Sequence, residues 1–210
     1  MTTASIHDFD VEVADRAPGF NLPQRMGRAL WAPMWLMALG FFLAGTITGI
    51  VRANAIAEGA PASRIQALGH LGPGLQFLGF MAVFAAISFA IARILGIFRE
   101  GGGQVQEATG RRVETLEMPM TTKVFILLMT LAMMALIVVS IVHFAYAAAT
   151  AAGSITVEAS RRAAETLEGI RRFATALYLF AITLGLATIT KVLRFQAIRL
   201  RELPDTARRT

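Results

Sequence analysis

Between Arg28 and Arg52 the chain holds an apolar run without a single charged side chain, and the pattern returns three more times. The runs cover about Leu30–Val51, Leu71–Ala92, Val124–Ala149 and Phe173–Thr190, each bordered on at least one side by arginine or lysine. An α-helix needs about 20 mostly apolar residues to cross a hydrocarbon core of about 30 Å, and each run is close to that length. With 55% hydrophobic and only 16% charged residues, the chain carries more apolar surface than a water-soluble domain can bury. The expected fold is therefore an all-α integral membrane protein, a bundle of four transmembrane helices over residues 30–202. A cytoplasmic segment, 1–29, precedes it and a cytoplasmic tail, 203–210, follows.

Orientation follows from where lysine and arginine fall, because short cytoplasmic loops retain positive charge. An inside N-terminus keeps Arg16, Arg25, Arg28, Arg93, Arg99, Arg111, Arg112 and Lys123 in the cytoplasm, with all the basic residues of the tail from Lys191 onward. Only Arg52, Arg64, Arg161, Arg162, Arg171 and Arg172 are left outside. Trp31 and Trp35 open the first span as an interfacial aromatic pair, in agreement with both termini lying inside. The acidic start, Asp8, Asp10, Glu12 and Asp15, is unlike a cleaved secretory signal. Abundant alanine, with arginine far outnumbering the two lysines, points to a high-GC bacterial genome and hence to the inner membrane.

The net charge of +6 is distributed over the ends of apolar runs, which makes it a topology signal and not a nucleic-acid surface. Cysteine is absent, which removes disulfides, thiolate metal sites and cysteine nucleophiles together. No P-loop, nucleophile elbow, HExxH or dinucleotide fingerprint is present.

Among the connections, residues 55–70 read as a short outer loop with a helical turn at 63–68, after which Pro73 would sit in the first turn of the second helix. Gly101–Gly102–Gly103 would end that helix. Residues 105–116 would then form a polar loop or a small β-hairpin. Ala163, Leu167, Ile170, Ala174 and Leu177 recur at three- and four-residue spacing, which predicts that the fourth helix begins well before its span. Gly153 and Ser154 supply a stop and an N-cap. Glu158–Arg162, Arg161–Glu165 and Glu168–Arg172 add i,i+4 pairs. A helix over 155–202 would measure roughly 70 Å, so a helical hairpin between spans three and four should project outward.

Small residues mark expected helix-packing ridges: Gly40, Gly45 and Gly49 on the first helix, Ser88, Ala92 and Gly96 on the second, Ala181 and Gly185 on the fourth. Met118, Met120, Met129, Met133 and Met134 read as packing or lipid-facing residues. The span hydroxyls, Thr46, Thr48, Ser140, Thr188 and Thr190 among them, should bond back to their own helices. Arg194, Arg199 and Arg201 are placed to hold anionic lipid headgroups. An ionisable group inside a span is costly, which singles out His143; topology puts His70 near the same leaflet, where the two could ligate one b-type haem.

The expected function is a non-catalytic membrane subunit that scaffolds or stabilises a larger complex, such as a respiratory or oxidoreductase assembly. The alternatives are a small haem-b electron-transfer subunit using His70 and His143, and a small oligomeric transporter or channel.

Overall fold

The computed structural model describes residues 9–207, with side chains through 201. Its order is β1 (Val11–Ala14), α1 (Leu22–Ala57), α2 (Ala62–Ala108), β2 (Val113–Leu116), α3 (Met120–Ala151) and α4 (Val157–Ala207). All four helices are long and apolar enough to cross a membrane, which makes the chain a candidate multi-pass membrane protein. Each expected span lies inside one helix, and α1, α2 and α4 extend well past theirs.

Those extensions revise the expected connections. Pro73 sits inside α2, because the helix already starts at Ala62 and absorbs the turn at 63–68. Gly101, Gly102 and Gly103 likewise lie within α2, which continues to Ala108 and stops where Gly110 adopts a left-handed φ of 68°. Gly153, at the same φ, ends α3 as expected. The cap of α4 is Thr156, not Ser154: its hydroxyl accepts the Ala159 N–H at 3.2 Å, whereas Ser154 bonds back to the Ala149 carbonyl.

Residues 105–116 form neither a free loop nor a hairpin of their own. Strand β2 pairs antiparallel with β1, Val11 opposite Leu116 and Ala14 opposite Val113. A lone two-stranded ribbon is marginal in water, so its apolar side must be covered. Phe9, Val11 and Leu116 pack on buried Phe195 and Ile198 of α4, with Phe9 edge-on to Phe195 at 5.5 Å.

The fold divides into two compact units, each taking a stretch of every helix. The first holds residues 1–31, 87–126 and 181–210. Here the N-terminal segment follows the glycines of α2: a Cβ on Gly96 would meet Phe20, and one on Gly103 would meet Ala17 and Pro18. Asn21 and Gln24 cap α1 reciprocally, each side-chain oxygen accepting the other's backbone N–H at 3.0–3.1 Å. The second unit holds residues 32–86 and 127–180. There α1 turns Ala38, Gly45, Thr48 and Ala55 inward, and Gly45 lies against Gln76 and the Gly72 carbonyl.

Along α4, Ser160, Leu167, Ala174, Ala181, Thr188 and Phe195 form a buried series at every seventh residue, joined on its flank by buried Tyr178, Gly185, Ile198 and Arg199. Such a seven-residue spacing keeps one narrow seam facing its neighbours. The expected stripe was correct at Leu167 and Ala174, but Ile170 is 42% exposed, and Tyr178 takes the buried place beside Leu177.

Candidate functional site

Within the second unit, α2, α3 and α4 bring together His70, His143, Thr150 and Ser160, all of them buried. The Nδ1 atoms of His70 and His143 are 2.9 Å apart. His70 Nε2 lies 3.0 Å from the Ser160 carbonyl and 2.9 Å from its hydroxyl. That hydroxyl is 2.9 Å from the Thr150 hydroxyl, which itself donates to the Tyr146 carbonyl at 2.7 Å. Aromatic rings close the sides: Tyr146 stacks on His70 and the edge of Phe77 meets His143, at 5.5 and 5.1 Å.

The proton positions follow by elimination. A carbonyl only accepts, so His70 Nε2 carries its hydrogen toward Ser160. A neutral His70 then presents a bare Nδ1, and the hydrogen shared between the rings belongs to His143 Nδ1. The neutral His143 is left with a bare Nε2, an atom that is buried and has no hydrogen-bond partner. Thr150 has one proton, placed to be donated either to the Tyr146 carbonyl or to the Ser160 hydroxyl. Every polar atom in this row is satisfied except His143 Nε2.

Beyond the row stand charged groups. Arg171 lies 5.5 Å from the Phe77 ring centroid and, like Arg172, donates to Glu168. Glu158 accepts from Arg162 at 2.6 Å, so two of the three expected i,i+4 pairs are made and Arg171 adds an i,i+3 pair. On α1, the Arg52 guanidinium sits where a Cβ on Gly69 would project, next to His70.

The two expected histidine ligands are thus neighbours, but they pair with each other. Axial ligation of one haem by both rings would need the macrocycle between them, and hence the opening of the 2.9 Å contact. Among the described residues no group of three or more His, Asp or Glu side chains is placed to hold a metal ion. Compared with family models, curated proteins and solved structures, the chain matches none.

The expected packing residues divide into two classes. A Cβ on Gly45, Gly96 or Gly185 would fall within 3 Å of a neighbouring side chain, Ala92 lies near Gly27, and Ala181 is fully buried. Gly40 and Gly49 instead face open space. Hydroxyls at Thr46, Thr48, Ser140, Thr188 and Thr190 accept the expected role and donate to carbonyls four residues back. Arg194 and Arg201 are exposed, but Arg199 is not available to headgroups. It is 4% exposed, its ring-facing guanidinium lies 5.2 Å from the Phe195 centroid, and it donates to Gln106 and Gln196.

Sequence reasoning missed Ser160 and Thr150. Ser160 was legible in principle, since it stands seven residues before Leu167 on the buried seam. Thr150 was legible in the same way, seven residues beyond His143 in the buried series Met129, Leu136, His143 of α3.

Proposed function

We propose that the chain is a non-catalytic subunit of the bacterial inner membrane that stabilises a larger membrane complex, with both termini cytoplasmic and the start of α4 outside. The observation that carries this reading is the poor burial of α1. Only 11% of its most apolar stretch is buried within the molecule, against 22–33% for the other three helices. Leu36, Leu39, Leu43, Ile47 and Ile50 form an exposed apolar face, and Gly40 stands among them with nothing within 4 Å of a built Cβ. In lipid, helices associate by close packing at small residues, so a notch on an otherwise bulky face fits a neighbouring helix.

The test is Gly40→Leu. In the native assembly, isolated in polymer-bounded lipid discs and weighed by native mass spectrometry, the substitution should release the chain while leaving its helical content intact. A wild-type chain that runs as a lone monomer would overturn the proposal, as would a complex unaffected by the added bulk. The natural absence of cysteine simplifies a topology test: Ser154→Cys should react with an impermeant thiol reagent added to the periplasmic side, and Arg111→Cys should not.

A further inference from the structure

We propose that His143 Nε2 is a buried proton-binding site, and that a proton taken up there is shared with His70 through the hydrogen bond joining the two rings. The two atoms of His70 and the Nδ1 of His143 are already engaged, with Ser160 on one side and with each other at 2.9 Å. His143 Nε2 is the one ring nitrogen with a free lone pair, and its side chain is 2% exposed. An added proton therefore has a single place to bind that breaks no existing bond.

Once bound, the charge is not confined to His143. The hydrogen between the Nδ1 atoms can move toward His70, which leaves a neutral His143 protonated at Nε2 and a cationic His70 that still donates to Ser160. One proton enters, one shifts within the pair, and the count balances. Buried hydrogen-bonded rows polarise along their length, and the hydroxyls of Ser160 and Thr150 extend this one toward the Tyr146 carbonyl.

The groups facing the pair are known from each element against it. Helix α4 contributes Glu168, within electrostatic reach of His143 and held by Arg171 and Arg172. Helix α3 contributes Tyr146, α2 the ring of Phe77, and α1 the Arg52 guanidinium beside Gly69. Glu168 is the carboxylate whose charge reaches His143, although its ion pairs with Arg171 and Arg172 leave that cluster net positive. An ionisable group inside a span is kept where it serves ion or proton movement or binding, and a row with one open acceptor fits the proton.

The chain has three histidines, so His7→Gln leaves only this pair. With the full-length protein in lipid nanodiscs and its histidines labelled with nitrogen-15, NMR above the ordinary histidine range should find one Nε2 protonated, the other bare, and a coupling across the Nδ1–Nδ1 hydrogen bond. On acidification the bare Nε2 signal should move to the protonated position while circular dichroism stays helical, and His143→Gln should abolish that moving signal. The proposal is overturned if the Nε2 signal stays bare throughout, as a tightly held water would produce, if both rings carry Nε2 hydrogens from the start, or if helicity is lost before any histidine titrates.

Discussion

Tyr178 stacks on Phe84 with ring centroids 3.8 Å apart and planes 18° from parallel, yet its hydroxyl is buried without a hydrogen-bond partner. The ring and the hydroxyl therefore act in opposite directions. An unsatisfied buried polar atom costs about 1–3 kcal/mol, and removing it while keeping the ring recovers part of that. Tyr178→Phe should leave the melting temperature in detergent unchanged or raise it, whereas Tyr178→Ala should cost about 3–5 kcal/mol. A clear loss of stability in the phenylalanine variant would mean that the hydroxyl is bonded.

Two glycines of α1 should respond oppositely to the same substitution. A methyl at Gly27 would meet the Phe89 carbonyl oxygen at 2.5 Å and the Arg93 nitrogen at 2.9 Å, both backbone atoms that cannot swing aside. Gly27→Ala should lower the unfolding midpoint of the purified protein. Gly49 has nothing within 4 Å of a built Cβ, so Gly49→Ala should gain about 0.5–1 kcal/mol from the smaller entropy loss of alanine in a helix.

Gln106 joins the strand ribbon to α4, because its side-chain oxygen accepts both the Glu114 backbone N–H at 2.8 Å and the Arg199 guanidinium. Gln106→Ala leaves both donors without that acceptor, one of them on a buried cation. The expected loss is about 1.5–3 kcal/mol. Hydrogen exchange should quicken across β1 and β2, and trypsin should cut first at Arg16 or Arg111.

Ser160→Ala removes the hydroxyl beneath His70 but keeps the carbonyl that His70 also contacts. A cost near 1 kcal/mol is expected. Ser160→Leu would push a larger side chain into the fully buried end of the α4 seam and should cost more, by about 1–3 kcal/mol of overpacking. Chemical-denaturant titration of the two variants measures the difference.

What could be read from the residues was whatever depends on the solvent and on short-range spacing. Leu30–Val51 and Val124–Ala149 declare themselves because lipid demands a fixed length of apolar helix, and both fall inside the observed α1 and α3. The Glu158–Arg162 and Glu168–Arg172 pairs needed only one turn of helix. Gly101–Gly103 misled because local propensity marks glycine as a terminator, while α2 uses Gly103 to admit Ala17 and Pro18. The pairing of Val11 with Leu116 is a contact across most of the first half of the chain, and no local pattern encodes it. At the site, topology put His70 and His143 at one level, but only packing could reveal that the rings face each other and that Ser160 completes the row.

The ring of Phe9 rests on Phe195, near the two ends of the described chain. A ribosome releases residue 9 long before residue 195 exists, so Phe9 and β1 lack the α4 surface they pack on until that helix has been made. Helix insertion can proceed one segment at a time, but β1 must wait for β2, and the finished ribbon must wait for α4. Strand β1 is made first among the described elements and is among the last of them to reach its place.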